Sequence, residues 1–168
     1  MKALGIDPGS RNLGYGLVLK SGSRLQALAH GTLRFDTKVE SNERLLEIYR
    51  RVKALIEELR PDHVAIEKVF FAKNVISALK LGQARGVAIL AVSEAGLPLF
   101  EYSPNEVKSA TAGFGHAGKE QVARMVTILL GARGFESADA SDALAIAICH
   151  LQTYGYTSKL KQLEKGIT

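Results

Sequence analysis

The order of periodic segments along the chain constrains its fold most strongly. Three strand-like segments come first, joined by short turns, at residues 2–7, 13–20 and 25–35. Beyond them, helical patterns alternate with short apolar strands at 63–67 and 97–102. An antiparallel meander followed by alternating helices and strands predicts an α/β fold, in which a five-stranded mixed sheet is flanked by helices.

Local signals at the ends of the helical patterns sharpen this prediction. Ser41 and Glu43 supply capping chemistry where the first helix begins, and Pro61 ends that helix. Ser103 and Pro104 open a later helix as N-cap and first turn. We predict one domain over residues 1–155 and a loose polar tail over 156–168. Besides the helix that Ser103 opens, the predicted helical ranges are roughly 42–60, 72–95, 119–130 and 138–153.

Composition excludes several kinds of site. Cys149 is the only cysteine, so neither an intrachain disulfide nor a metal site built on thiolates is expected. The apolar runs are too short to span a bilayer, and Asp7 interrupts the only apolar run near the N-terminus. We therefore expect a cytoplasmic protein with no membrane partner, in which any metal is held by oxygen or imidazole.

The distribution of charge favours an anionic partner. The chain has 22 basic and 17 acidic residues, a formal net charge of +5. Between Glu67 and Glu94 every charged residue is basic, which suits a polyanion drawn toward an acidic centre. A solvated helix face would show the same pattern. The basic residues in this tract are Lys68, Lys73, Lys80 and Arg85.

Four acids occupy positions where a metal site is expected. Asp7 and Glu67 each end an inner strand, and open α/β sheets place their sites at the carboxyl ends of strands. Asp139 and Asp142 are three residues apart on the last helix and share one face near its N-terminus. Converging carboxylates either raise each other's pKa or bind a hard cation such as Mg²⁺. Taken singly, the bland alternatives are an N-cap for Asp139, an exposed Asp142 and a turn role for Asp7.

Five segments, in this order and spacing, resemble the RuvC family of Holliday junction resolvases. The resemblance covers about residues 1–154. The segments are GIDPGSRNLGYG (5–16), IEKVFFAKN (66–74), LKLGQARG (79–86), EYSPNEVKSATAGFGHAGKEQV (101–122) and DASDALAIAICH (139–150).

The resemblance implies an RNase H-like fold and a structure-selective endonuclease acting in recombination and repair. Such an enzyme resolves four-way DNA junctions by paired symmetric nicks, with two Mg²⁺ ions in each active site, for which Mn²⁺ can substitute. It also implies a homodimer and a branch-migration helicase of the RuvA–RuvB type as partner.

Carried over motif by motif, the resemblance also implies roles for individual residues. Lys119, like Lys108, falls near the scissile phosphate and completes the catalytic set, while Phe70 is the aromatic expected to stack on an unpaired base. His150 is expected to be structural. The metal ligands that the resemblance implies are Asp7, Glu67, Asp139 and Asp142, and the DNA contacts that it implies are Phe70, Lys108 and Lys119. The basic tract adds Lys73, Lys80 and Arg85 as expected DNA contacts, and His116 is expected to contact a phosphate.

Three alternative functions share some of these features. An ATPase or sugar kinase of the actin and Hsp70 type also opens with a strand, an aspartate and a glycine-bearing turn, but it needs two lobes. A ribonuclease H shares the fold and the metal chemistry. A non-catalytic junction-binding protein would gain nothing from four negative charges facing phosphate.

Overall fold

Five strands form one mixed sheet in a computed structural model, which describes residues 1–68 and 74–165, with side chains through residue 155. The spatial order of the strands is β3-β2-β1-β4-β5. The first three are antiparallel, while β4 pairs in parallel with both β1 and β5. The predicted α/β fold, with its five-stranded mixed sheet, is confirmed. The strands are β1 (Lys2–Asp7), β2 (Asn12–Ser21), β3 (Arg24–Arg34), β4 (His63–Glu67) and β5 (Leu99–Tyr102).

Helices cover both faces of the sheet. One apolar core lies between the sheet and the first two helices, and a second lies between the sheet and the last three. The fold is therefore a helix–sheet–helix sandwich, and α5 is its most deeply buried helix. The helices are α1 (Ser41–Leu59), α2 (Val75–Glu94), α3 (Pro104–Ala112), α4 (Lys119–Leu130) and α5 (Ala138–Lys165).

Helix α5 lies against the sheet at unusually close range, because β1 and β2 present glycine to it. A Cβ built on Gly14 would stand 2.1 Å from the carbonyl oxygen of Asp139, and one on Gly5 would stand 1.9 Å from that of Ala143. Real Cβ contacts are never this short, so any side chain here would push the helix away from the sheet. Gly5 pairs directly with Gly16 across β1 and β2. These glycines set the height of α5 above the sheet.

Two boundary predictions are wrong. Ser41 is the first residue of α1 rather than its cap, since Glu40 occupies the N-cap position without a side-chain cap bond. Helix α5 continues to Lys165, so residues 156–165 are helical where a loose tail was expected. The physical reason is composition: lysine, glutamine and glutamate make the segment polar, but they and its two leucines all favour helix, and no proline interrupts them.

Candidate active site

A cleft of about 260 Å³ opens at the carboxyl edge of the sheet. Three of the four predicted acids line it, together with both predicted active-site lysines. They come from five different elements, so only the fold brings them together. The lining residues are Asp7, Glu67, Pro104, Val107, Lys108, Lys119, Val122, Asp142, Ala145 and Ile146.

The strand acids meet because β1 and β4 run in parallel. Ile6 pairs with Ile66, so Asp7 and Glu67 follow at the same edge of the sheet. Burial raises the pKa of Asp7 to about 7, reinforced by the negative charges of Asp142, Glu67 and Asp139. The pKa of Glu67 is also raised, first by burial and then by Asp142. The edge of the sheet thus concentrates negative charge in a partly desolvated place, which a bound cation would relieve.

The helix acids are placed by the capped start of α5. The hydroxyl of Ser137 accepts a hydrogen bond from the amide of Ala140 at 3.1 Å and lies 2.6 Å from the hydroxyl of Thr32 on β3. This anchors the first turn, which carries Asp139, and the next turn carries Asp142. Asp139 is absent from the residues lining the cleft. Its charge nevertheless acts on both Asp7 and Lys119.

Two lysines on neighbouring helices face the acids. The ammonium of Lys119, at the first turn of α4, donates to a carboxylate oxygen of Asp142 at 2.7 Å. This bond is the largest cause of the raised pKa of Lys119. The charges of Lys108 and Lys119 lower the pKa of Glu67 and so oppose the effect of burial. The cleft therefore contains both signs of charge, with the ammonium groups of two lysines beside the carboxylates.

The carboxylates share the cleft at electrostatic range rather than at coordination range. Among the described side chains, no three histidine, cysteine, aspartate or glutamate groups are close enough to form a metal site together. Lys119 occupies one oxygen of Asp142, which remains partly exposed. The donor set fits Mg²⁺ or Mn²⁺ in its chemistry, because it consists of carboxylate oxygens.

The remaining predicted contacts are spread more widely. Lys80, on α2, and His116, in the loop before α4, are both exposed. Arg85 is instead bonded within the protein, to the carbonyl of Glu67 and the carboxylate of Glu101. Phe70 and Lys73 lie outside the described residues.

The structural role expected of His150 is confirmed. Its ring is fully buried, and its two nitrogens lie 2.9 Å from the ring of His63 and from the hydroxyl of Tyr102. Burial and the neighbouring His63 lower the pKa of His150 to about 4, so it stays neutral.

Sequence reasoning missed the apolar wall of the cleft. Val107 stands three residues after Pro104, and Val122 stands three after Lys119. Ala145 and Ile146 follow Asp142 at the same helical spacing. Each of three helices thus contributes residues at i, i+3 or i+4 to one cavity, and that spacing next to the predicted lysines and acids was the available signal.

Comparison with known proteins gives a consistent result. The family model described as "Crossover junction endodeoxyribonuclease RuvC" matches residues 3–150. A protein of that name from Geobacter sulfurreducens is 50% identical over 163 residues, which cover 97% of this chain and 99% of the relative. Another from Trichlorobacter lovleyi is 53% identical over 154 residues, covering 92% and 86%.

Solved structures agree in fold. Thermus thermophilus RuvC in complex with a Holliday junction substrate superposes with a TM-score of 0.82 at 35% identity, covering 90% of this chain and 93% of that one. The yeast mitochondrial Holliday junction resolvase Ydc2 superposes at 0.68 with 15% identity, covering 96% and 83%, which shows a shared fold only. The chain therefore belongs to the RuvC family of crossover junction endodeoxyribonucleases.

Proposed function

We propose that this protein resolves four-way DNA junctions by metal-dependent hydrolysis of two phosphodiesters. The observation that carries the proposal is the cleft, which gathers Asp7, Glu67 and Asp142 with Lys108 and Lys119 in a chain of the RuvC family. The Thermus relative was solved in complex with a Holliday junction, and that complex supplies the substrate class.

The four acids would hold the metal ions. Asp7, whose pKa burial raises to about 7, would hold the ions together with Glu67, Asp139 and Asp142. We propose Mg²⁺ as the physiological ion, two per site, with Mn²⁺ as a substitute. When bound, such a pair activates a water on one side of the phosphate and stabilises the leaving oxygen on the other.

The lysines would act on the phosphate itself. Lys119 is 69% exposed at its side chain, so its ammonium can reach a ligand in the cleft. Released from Asp142 as cations bind, it would neutralise charge that develops on the phosphate in the transition state. Lys108 would help to position the DNA strand that carries this phosphate. Lys80 and His116, both exposed, and Phe70 and Lys73, outside the described residues, stay predicted DNA contacts.

Family membership and architecture separate this function from its alternatives. A kinase or ATPase of the actin type encloses its nucleotide between two lobes, whereas the described chain forms one five-stranded sheet. A protein that only binds DNA would gain nothing from the carboxylates of Asp7, Glu67 and Asp142 in one cleft. A ribonuclease H shares the chemistry, so substrate comparison must separate it.

A second copy of the chain is the partner that the surface supports best. Helix α2 buries Ala84, Ala88 and Ala91 on one side. On the opposite side Val75, Leu79 and Leu90 are 84%, 63% and 58% exposed. Among the described helices, α2 alone is long and apolar enough to cross a membrane by length and composition. Because the inner side of α2 packs on α1 and the sheet, we propose that its outer side is buried in the interface of a two-fold dimer.

Two further proposals rest on the family alone. We propose that the dimer works with a branch-migration helicase of the RuvA–RuvB type and that it acts in the cytoplasm. Neither has a surface feature of its own among the described residues.

Cleavage of a synthetic four-way junction tests the proposal. The chain is incubated with the junction, a linear duplex and an RNA–DNA hybrid, with Mg²⁺, Mn²⁺ or EDTA. We expect paired nicks in the junction alone, and only with a divalent ion. Asp7→Asn should lower the rate by at least about 100-fold while leaving junction affinity in EDTA unchanged, since the carboxylate acts through the ions. Preferential cutting of the hybrid, or normal cutting by Asp7→Asn, would contradict the proposal.

A further inference from the structure

Arg85 connects helix α2 to β4, the strand that ends on Glu67. Its Nε donates to the carbonyl oxygen of Glu67 at 3.0 Å, and its Nη2 donates to a carboxylate oxygen of Glu101 at 2.7 Å. The side chain is only 18% exposed, although it carries a full charge. Its fork therefore spans the ends of β4 and β5, which are neighbours in the sheet.

The peptide group that follows Glu67 is held at both ends. Its carbonyl accepts from Arg85, and its amide, that of Lys68, donates to the carbonyl of Tyr102 at 2.7 Å. A peptide plane fixed on both sides fixes the backbone torsion of the residue before it, and hence the direction in which that residue's side chain leaves the strand. Glu67 is the last residue of β4 and pairs with Tyr102, the last residue of β5, so these contacts lie where the sheet ends.

We propose that Arg85 is a positioning residue that orients the Glu67 carboxylate toward the metal site, and that its guanidinium is not primarily a DNA contact. This inference rests on the proposed function, because it assigns Glu67 a role in that reaction. Glu101 holds the guanidinium in place and offsets its charge. An arginine is required, since one lysine ammonium cannot form the same planar bridge to two acceptors.

The alternative role, a phosphate contact, makes opposite predictions. Loss of a phosphate contact weakens binding at every sequence and lowers the salt dependence of the affinity by about one ion. Lysine would largely replace arginine in that role, because a point charge suffices. Loss of a positioning bond leaves binding intact and slows the chemical step instead.

The test compares Arg85→Ala, Arg85→Lys and Glu101→Gln with the wild-type chain, and uses Lys80→Ala, an exposed cation on the same helix, as the standard for a DNA contact. Three quantities are measured: junction affinity in EDTA over a range of salt, single-turnover rate at saturating enzyme, and calorimetric affinity for Mn²⁺ without DNA. Thermal unfolding checks each variant, and Arg85→Lys serves if Arg85→Ala does not fold.

We expect Arg85→Ala to slow single turnover by roughly 10- to 100-fold and to weaken Mn²⁺ binding, while its junction affinity and salt slope stay within about twofold of wild type. Arg85→Lys should not restore the rate, and Glu101→Gln should show a smaller loss of the same kind. An Arg85→Ala chain that resembles Lys80→Ala, or a lysine that restores the rate, overturns the positioning role. A wild-type chain that binds Mn²⁺ and cuts no junction overturns the proposed function alone, and the Mn²⁺ affinities then still decide the role of Arg85.

Discussion

At the scale of a single residue, Asp7 shows how the site disfavours a charged carboxylate when no metal is bound. Burial is the main reason that its pKa reaches about 7, and the charges of Asp142, Glu67 and Asp139 add to it. Lys119 acts in the opposite direction but does not cancel the others. A carboxylate in this state is either protonated or in need of a cation near neutral pH. Metal binding and proton release at Asp7 are therefore two aspects of one equilibrium.

This state predicts how the stability of the metal-free protein depends on pH. The folded pKa of Asp7 lies above its ordinary value of 3.8, so the stabilisation from its protonated form is complete below 3.8 and is lost as the pH rises through about 7. At pH 8 in EDTA, Asp7→Asn should thus be more stable than wild type by about 2–4 kcal/mol, and at pH 4 the two should converge.

Urea unfolding at several pH values measures this difference, and Glu58→Gln on the exposed face of α1 controls for the loss of one negative charge. Saturating Mg²⁺ should remove the advantage of Asp7→Asn at pH 8. A stability difference between Asp7→Asn and wild type that does not change with pH would show that Asp7 is not held in this state.

At the scale of elements, the sequence located the strands and the acids far better than the contacts that support them. Asp7 and Glu67 could be placed because each interrupts an apolar run at a strand end, and Asp139 and Asp142 because they repeat at helical spacing. The bond from Arg85 to the backbone of Glu67 could not be predicted, since it goes to a carbonyl 18 residues away, and no side-chain pattern encodes that. Polar composition also concealed the helical continuation of α5 beyond residue 155.

The contact between α5 and the sheet yields a prediction at this scale. Gly14→Ala should displace the first turn of α5, because the added Cβ would stand 2.1 Å from the carbonyl oxygen of Asp139. We expect a loss of about 1–3 kcal/mol in stability, as for overpacked cores. The cleavage rate at saturating junction should fall by roughly 10- to 100-fold, because Asp139 and Asp142 move with the helix.

Rates are compared at a temperature where the variant is fully folded, so that lost stability does not count as lost activity. Ser21→Ala, at the exposed far end of the same strand, provides the matched control. A variant that is destabilised but cuts at the wild-type rate would show that the height of α5 does not determine the geometry of the acids.

At the scale of the whole molecule, the two sides of helix α2 have different roles. Its inner side packs on α1 and, through Arg85, supports the end of β4. Its outer side carries the exposed apolar stripe with two glycines, Gly82 and Gly86, where an added Cβ would meet nothing within 4 Å. Small residues between large ones allow two helices to approach closely. A dimer formed here would bring the partner subunit close to the helix that orients Glu67, so assembly and active-site geometry share one element.

Leu79→Glu tests this arrangement, because a two-fold contact would bring the new charge close to its own copy in an apolar interface. We expect the dimer dissociation constant to rise at least about 30-fold, as for loss of a central apolar contact, which sedimentation equilibrium can measure. Ile128→Glu, at a residue 60% exposed on α4, is the matched control and should leave the dimer intact.

On a supercoiled plasmid with an extruded cruciform, wild type should give mainly linear product from paired nicks, and Leu79→Glu should give mainly nicked circles. An undisturbed dimer in Leu79→Glu would place the subunit contact elsewhere, whereas a monomer that still yields linear plasmid would show that paired cutting does not need the two sites to be joined.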